Sequence, residues 1–266
     1  MTETQTSEEP TVLVEEKDND ILLITLNRPR SRNALNLQVW EELDAAVRKA
    51  EGATPPRAVI LTGAGGFFSA GGDLKSTPAL GDGALAPAAR LELGQKIIRR
   101  LHDLPVPVIA AVEGGAYGIG WSLALAGDLI ISSDEARYCA PFLSLGLVPD
   151  GGCVWFLRRK LGAYQASEII LSERVVDANE ASDLGLVSKL VPAGSAIDTA
   201  IKMAAGFAKG NRHSVELTKR LMRDADGSDL AASHAQELAY CSICQTGPEV
   251  AKMRAERAAK AKEKEK

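Results

Sequence analysis

Hydrophobic and polar residues alternate along this chain in patterns that predict strands followed by helices. Two β-like runs, at 11–17 and 20–26, meet at the turn sequence Asp18-Asn19-Asp20, which predicts a hairpin. The stretch 33–51, NALNLQVWEELDAAVRKAE, spaces its apolar residues along one face of a helix. RAVILTG, at 57–63, is a short β-branched run that ends in glycine and predicts a buried strand.

The same alternation continues into the middle of the chain. A helix predicted at 89–104 leads to a strand-like run at 105–114, then to a glycine turn and a helix that begins near Ile119. DLIISS (128–133) and LVSKLV (186–191) predict further strands, and most of the chain after Asp150 is predicted to be helical. Strands that alternate with helices in this way predict an α/β core.

Helix-start signals and the last predicted strand suggest how the chain is divided. Asp177 with Glu180, and Thr246 with Glu249, have the spacing of capping boxes. The helices after Pro192 have no strands left to cover, so we expect them to serve assembly. The chain then divides into a disordered N-terminal tail (1–10), a core (11–192) and a helical region (193–266). A Pro/Gly/Ala-rich segment, 78–87, is predicted to be mobile.

Composition and charge narrow the class of protein. The chain has 266 residues, of which 45% are hydrophobic and 25% charged, as in ordinary globular proteins. A net charge of −4 gives no support to nucleic-acid binding. The polar N-terminus and the lack of an apolar span of about 20 residues predict a cytoplasmic protein without a membrane anchor. Cys241 and Cys244 form a C-x-x-C without a second ligand pair nearby, which favours packing cysteines over a zinc or redox site.

Two glycine-rich loops, FSAGGDL (68–74) and GAYGIGW (115–121), each follow a predicted strand. A glycine turn that opens a helix exposes unpaired backbone N–H groups, which can hold a phosphate or a negatively charged oxygen. Gly118-Ile119-Gly120 begins a dinucleotide-binding G-x-G, but Leu123 stands where that fingerprint needs its third glycine. The other interpretation uses both loops: each offers one N–H to the same carbonyl oxygen, which makes an oxyanion hole.

The loops occur within a longer set of motifs. ITLNRPRSRNALN (24–36), FSAGGDL, AVEGGAYGIGWSLALAGDLIISS (111–133) and LGLVPDGG (145–152) follow one another at separations that resemble those of the crotonase, or enoyl-CoA hydratase/isomerase, superfamily. The resemblance runs from about residue 12 to about residue 260. It implies an α/β fold with a spiral core of repeated ββα units and a C-terminal helical region that supports trimers, often paired into hexamers. It also implies chemistry through a thioester enolate of an acyl-coenzyme A.

The resemblance assigns roles to individual positions. It places the two oxyanion N–H groups at Ala70 and Ile119, where the side chain of Ile119 is expected to narrow the pocket. Contacts to coenzyme A are implied for Arg28, Ala34, Ala70, Gly71, Gly72, Asp73, Leu74, Gly118 and Ile119. For Arg28, a solvated surface position remains an equal alternative to a phosphate contact, and loop bracing is favoured for Asp73 and Asp128. No metal and no separate cofactor are implied, because coenzyme A arrives as part of the substrate.

Both glutamates that the family's hydratases use are replaced here. The resemblance places them at positions 122 and 142, where this chain has Ser122 and Phe142. Hydration needs a base to activate water and an acid to deliver a proton, so simple hydration is in doubt. We expect Ser122 and Phe142 to shape the acyl pocket instead. Trp121 is a further candidate for that pocket, although packing is the favoured role for it.

Asp150, in VPDGG, is the carboxylate that remains at a family catalytic position. A single carboxylate suffices for isomerisation, because it can take a proton from one carbon and return it to another. The alternative for Asp150 is a helix N-cap, and one role does not exclude the other. The sequence thus favours an enoyl-CoA isomerase that uses Asp150 as proton shuttle. An enoyl-CoA hydratase (a lyase) and an acyl-CoA-binding protein that has lost turnover remain as alternatives, in each case as a homotrimer or a dimer of trimers.

Overall fold

The computed structural model describes residues 9–75 and 86–264. Most of the predicted disordered tail (1–10) and of the predicted mobile segment (78–87) therefore lies outside the described residues. The strands are β1 Val12–Lys17, β2 Ile21–Leu26, β3 Ala58–Gly63, β4 Val108–Val112, β5 Gly115–Tyr117, β6 Leu129–Ser133, β7 Arg137–Cys139, β8 Val176–Asp177 and β9 Lys189–Val191. The helices are α1 Leu37–Ala50, α2 Ala86–Asp103, α3 Ile119–Leu125, α4 Cys153–Leu161, α5 Ala163–Ser172, α6 Ala178–Asp183, α7 Ala196–Phe207, α8 Arg212–Ala225, α9 Leu230–Thr246 and α10 Pro248–Lys264.

The larger sheet has six strands in the order β1-β2-β3-β4-β6-β9. β1 and β2 form the predicted antiparallel hairpin, and Asn19 and Asp20 in its turn adopt positive φ angles, as tight hairpin turns require. The remaining neighbours pair in parallel. Every residue of β3 and β4 is buried, because helices cover a parallel sheet on both faces.

The two faces of this sheet pack against different helices. One face contacts α1, α2 and α3 through large side chains such as Trp40, Ile97 and Leu123. The other face packs against Ala196, Ala200 and other small residues of α7. The expectation that the helices after Pro192 have no strands to cover is therefore wrong for α7. This helix belongs to the core, which extends beyond the predicted limit at residue 192.

A second, three-stranded sheet with the order β5-β7-β8 was not predicted. Its strands are two or three residues long, too short to show a period of hydrophobic positions. β5 pairs in parallel with β7, and Ser69 forms an isolated bridge with Ala116 of β5. This small sheet brings the two glycine-rich loops together.

One capping prediction is confirmed and the other is wrong. Asp177 is the N-cap of α6, where its carboxylate accepts a hydrogen bond of 2.9 Å from the Glu180 amide. Thr246, in contrast, is the last residue of α9, and its hydroxyl donates to the carbonyl oxygens of Ser242 and Ile243. The threonine side chain thus bonds the preceding turn of α9.

The cysteines of the chain differ in their surroundings. Cys153 is buried, which raises its pKa to about 12, whereas Cys241 of the C-x-x-C pair is exposed on α9. The described residues contain no group of three or more His, Cys, Asp or Glu side chains that could hold a metal ion. Within the same residues, no helix is both long and apolar enough to cross a bilayer.

Candidate functional site

The two glycine-rich loops lie side by side. The Tyr117 amide donates a hydrogen bond of 2.9 Å to the carbonyl oxygen of Ser69, and the Ser69 amide donates one of 3.2 Å to Gly115. Gly71 has a φ of +92°, and a Cβ built on it would lie 2.6 Å from the Tyr117 carbonyl oxygen and 3.7 Å from the Gly118 Cα. The residues next to the predicted donors are thus in direct contact.

Ile119 is the first residue of α3, as the sequence predicted. Gly118 precedes it as the N-cap with a φ of +52°, a conformation that favours glycine. Among the described residues, none accepts a hydrogen bond from the Ile119 amide. An unpaired amide at the positive end of a helix is suited to hold a negatively charged oxygen.

The amide of Ala70 differs from the predicted picture. It donates a hydrogen bond of 2.8 Å to the carbonyl oxygen of Arg32, a residue that itself has a φ of +49°. The Ile119 amide is therefore available to a ligand oxygen, whereas the Ala70 amide is hydrogen-bonded within the protein. A thioester oxygen would have to compete with the Arg32 carbonyl for the Ala70 amide.

Asp150 lies next to the first turn of α3. The Ser122 hydroxyl donates a hydrogen bond of 2.9 Å to the Asp150 carbonyl oxygen, and one carboxylate oxygen of Asp150 is shielded from solvent. A Cβ built on Gly151 would lie 2.8 Å from the Ile119 side chain and 2.9 Å from Ser122. The structure thus brings Asp150 and Gly151 against the start of α3, 28 positions earlier in the sequence in the case of the Ser122–Asp150 bond.

The N-cap alternative for Asp150 is wrong. α4 begins at Cys153, and its N-cap is Gly152, which has a φ of +82° and receives no capping bond from a side chain. The carbonyl oxygen of Asp150 does accept a hydrogen bond of 3.0 Å from the Cys153 amide, which closes a turn before the helix. A glycine N-cap leaves the Asp150 carboxylate outside the capping position.

The three predicted acyl-pocket residues have different surroundings. Phe142 is buried, and its ring lies 3.8 Å from the position of a Cβ built on Gly118. Ser122 is buried beside Asp150, as described above. Trp121 is 0% exposed and packs against Tyr138 at a ring distance of 5.6 Å, so it belongs to the core and not to the acyl pocket.

An ion pair joins two of the segments that the sequence linked to coenzyme A. The Arg28 guanidinium donates a hydrogen bond of 2.8 Å to the Asp73 carboxylate and another of 2.6 Å to the Ala34 carbonyl oxygen. Asp73 also accepts a hydrogen bond of 3.0 Å from the Lys75 amide, which agrees with its predicted role as a loop brace. Arg28 is not freely solvated in this structure, because these contacts engage its guanidinium.

Asp128 also braces the fold, as predicted. Its carboxylate accepts a hydrogen bond of 2.7 Å from the Val108 amide and forms an ion pair of 2.7 Å with Lys219. The pair holds the start of β4 against α8. Burial lowers the pKa of Lys219, and the neighbouring Asp128 opposes that shift.

Two glutamates that support the site were missed in the sequence. Glu113, directly after β4, accepts hydrogen bonds of 3.0 and 2.9 Å from the amides of Gly194 and Ala196 at the start of α7. Glu173 accepts hydrogen bonds from the amides of Leu143 and Ser144, next to Phe142. An acidic residue at the end of a buried strand was a signal for Glu113, whereas no local pattern marks Glu173.

Comparisons with known proteins agree with this geometry. The sequence model of the enoyl-CoA hydratase/isomerase family matches residues 16–260. The 2,3-dehydroadipyl-CoA hydratase of Escherichia coli is 33% identical over 229 residues, which cover 85% of this chain and 87% of that protein. The short-chain-enoyl-CoA hydratase of Clostridium acetobutylicum is 34% identical over 223 residues, which cover 84% and 85%. The crystal structure of an enoyl-CoA hydratase from Polaromonas superposes with a TM-score of 0.88 and 31% identity, and covers 94% of this chain and 97% of that one.

Proposed function

The chain belongs to the enoyl-CoA hydratase/isomerase family, and from that premise we propose that it is an enoyl-CoA isomerase in which Asp150 carries the proton. The substrate is an acyl-CoA thioester, and the loops at Ala70 and Ile119 hold its carbonyl oxygen. The observation that carries the proposal is the hydrogen bond from the Ser122 hydroxyl to the Asp150 carbonyl oxygen. This bond engages Ser122 and places Asp150 beside the oxyanion loop.

The neighbouring residues favour isomerisation over hydration. Ser122 and Phe142 stand where the family's hydratases have glutamates, and neither side chain can act as a general acid or base near neutral pH. The Phe142 ring lies 3.8 Å from a Cβ built on Gly118, which supports an apolar wall beside this loop. Asp150 is thus the carboxylate that supports proton transfer.

The reaction needs one group to move one proton. In a 3-enoyl-CoA, the Asp150 carboxylate removes a proton from the α carbon, and the charge passes to the thioester oxygen. The Ile119 amide, with Ala70 once its amide leaves Arg32, stabilises that oxyanion by about 3–4 kcal/mol per donor. The protonated Asp150 then delivers the proton to the γ carbon, which gives the conjugated 2-enoyl-CoA and restores the carboxylate.

The substitution Asp150→Asn tests this role directly. Asparagine has nearly the same shape but cannot accept the proton, so we expect isomerisation to fall by about 10²–10⁴-fold. The measurement is the appearance of conjugated thioester absorbance from a 3-enoyl-CoA, with the melting temperature of the variant as its control. Wild-type turnover in this variant would exclude Asp150 as the proton carrier.

Two other functions are distinguished by the products. The similarity to two hydratases favours hydration, which would convert 2-enoyl-CoA to a 3-hydroxyacyl-CoA. The engagement of the Ala70 amide with Arg32 favours a protein that binds acyl-CoA without turnover. A 3-hydroxy product would support the hydratase, and tight binding without any product would support the binding protein.

We place the coenzyme A part of the substrate along the loop 70–74. The Arg28–Asp73 ion pair fixes this loop against the segment that holds Ala34, and Leu35 and Gly72 form a bridge between them. Gly71, Gly72 and Leu74 then line the approach to Ile119. In this arrangement Arg28 shapes the loop through its Nη1, which bonds both Asp73 and Ala34.

We also infer that the chain assembles as a homotrimer or as a dimer of trimers. None of the 17 residues of α9, all of them described, is buried, and Leu230, Leu238 and Ile243 are exposed on this helix. Exposed apolar side chains on a helix favour an interface between subunits. Sedimentation equilibrium should give three or six times the chain mass of 28.2 kDa, and a monomer at micromolar concentration would contradict the inference.

A further inference from the structure

A cavity of about 530 Å³ lies between α2, α4 and α8, close to the proposed site. Ile98, Gly151 and Gly152 form the part of its wall that faces the site. Gly151 also contacts Ile119 and Ser122, so the same residue borders the oxyanion loop and the cavity.

The middle of the cavity is aromatic. His102 packs edge-on against Trp155 and Phe156, at ring distances of 5.6 and 5.5 Å, and Trp155 is 47% exposed. Burial lowers the pKa of His102, against the opposing effect of Asp103, so its ring is neutral at pH 7. These rings offer an apolar wall for the methylene groups of an acyl chain.

Positively charged side chains outnumber acidic ones in the lining of this cavity and its neighbour. The same three rings and Arg223 also line a neighbouring cavity of about 270 Å³. The charged residues around the two cavities are Arg99, Arg159, Lys160, Lys219 and Arg223, against Asp103, Asp128 and Asp226. Five cations therefore face three carboxylates.

The ion pairs in this lining leave cationic capacity for a ligand. Asp128 pairs with Lys219 at 2.7 Å, and Asp226 pairs with Arg159 at 2.6 Å. Asp103 is shared: it lies 3.4 Å from Arg223 and 3.6 Å from Arg99, and Arg223 also lies 3.5 Å from Asp224, all longer than a bidentate pair requires. A carboxylate from a ligand can therefore bind the two arginines without leaving an acid buried and unpaired.

We propose that this cavity receives the acyl chain of the substrate and selects acyl groups that end in a carboxylate. The chain runs from the thioester past Gly151, its methylene groups lie against Trp155 and Phe156, and its terminal carboxylate binds Arg99 and Arg223. The inference rests on the proposed function, because it extends the acyl-CoA site. Arginine is suited to this role, since its planar fork matches a carboxylate.

The test compares saturated acyl-CoA pairs that differ only at the end of the chain. Adipyl-CoA is compared with hexanoyl-CoA, and suberyl-CoA with octanoyl-CoA, by titration calorimetry on the full chain. Saturated chains cannot react, so this readout does not depend on the proposed isomerisation. We expect the carboxylate member of at least one pair to bind about tenfold more tightly at low salt, and the difference to shrink as salt is added.

Substitutions at the two arginines test whether these side chains cause the carboxylate preference. The substitution Arg99→Gln changes an exposed side chain that is 84% solvent-accessible, and Arg223→Gln removes the second arginine. We expect each to reduce the preference and the double variant to abolish it, while the affinity for hexanoyl-CoA stays the same. Arg158→Gln is the matched control: Arg158 is exposed on α4 and is not among the described residues that line either cavity. This variant should keep the preference.

Each outcome decides between the two proposals. Equal or weaker binding of both carboxylate ligands, or a preference that survives the double variant, would overturn the carboxylate selection and leave the proposed function intact. No binding of any of the four acyl-CoA ligands would overturn both. A carboxylate preference in a protein that fails to isomerise 3-enoyl-CoA would support the cavity assignment and contradict the isomerase.

Discussion

Gly71 and Gly118 set the geometry of the oxyanion loops through backbone angles that other residues avoid. Both have positive φ, and Gly71 lies directly against the Tyr117 carbonyl. In the proposed function the polarising groups are main-chain amides, so the identity of the donor side chains matters less than the path of the backbone. Under that proposal, a helix start without acidic, basic or histidine side chains contributes to catalysis through its amide.

The substitution Gly71→Ala should disturb this path. The new Cβ would lie 2.6 Å from a backbone oxygen and require a φ of +92°, so the loop must shift. We expect a loss of about 1–3 kcal/mol in the free energy of unfolding and a fall in kcat/KM of about 10²-fold or more. Urea unfolding and the 3-enoyl-CoA assay measure the two effects.

A second glycine gives the control. Gly206 lies in α7, and no described atom comes within 4 Å of a Cβ built on it. Gly206→Ala should be neutral or raise the stability by about 0.5–1 kcal/mol, with unchanged activity. Equal effects of the two substitutions would show that the contact at Gly71 does not govern the site.

α7 depends on a carboxylate from another part of the fold. Ser195 stands at its N-cap but makes no capping bond in the described structure. Glu113, 8% exposed at the end of β4, instead accepts hydrogen bonds from two amides at this helix start. The same residue precedes the oxyanion loop, so a single carboxylate connects α7 to the strand that carries the site.

The paired substitutions Glu113→Ala and Ser195→Ala test this connection. Removing Glu113 leaves two amides at a helix start without their acceptor, and we expect a loss of about 2–3 kcal/mol in stability. Ser195→Ala removes no capping bond and should cost less than about 0.5 kcal/mol. Denaturant unfolding of both variants measures the difference, and a larger effect at Ser195 would mean that the serine caps the helix in solution.

The contacts of Lys219 attach α8 to the core, and α8 in turn supports the helix that follows it. Lys219 is buried, and its ammonium donates a hydrogen bond of 2.9 Å to the Val106 carbonyl oxygen and pairs with Asp128. Val106 lies just before β4, and Asp128 accepts a hydrogen bond from the first amide of β4. One lysine side chain therefore joins α8 to the start of a central strand. The next helix, α9, packs on α8, and its support therefore depends on the same contact.

Lys219→Met should loosen α8 without unfolding the sheet. Methionine keeps the aliphatic stem but leaves Val106 and Asp128 without the ammonium, which we expect to cost about 1–3 kcal/mol. Hydrogen exchange should become faster in residues 212–225 and stay slow in β3 and β4. Lys202→Met, at an exposed position on α7, is the control and should change neither. Unchanged exchange in α8 would show that apolar packing alone holds it.

Much of this arrangement could be predicted, because its signals are local. The hairpin turn at Asn19 and Asp20, the strand 58–63 and the helix start at Ile119 follow from turn chemistry and hydrophobic period, and all three are confirmed. The family resemblance placed the two glycine-rich loops at one site, and the fold brings them into contact. Local sequence determines such features because each depends on residues within a few positions of one another.

The remaining features depend on residues far apart in the chain. The cap that Glu113 provides for α7 joins positions separated by about eighty residues, and Trp121 of α3 packs against Tyr138 of β7. The bond between Ala70 and Arg32, and the position of Asp150 beside Ser122, likewise arise only when separate elements pack together. Sequence period and turn signals determined which elements form and where the site's loops begin. The tertiary structure decided which backbone amides are hydrogen-bonded within the protein and where carboxylates such as Asp150 lie. Packing selects among partners that the local sequence does not distinguish.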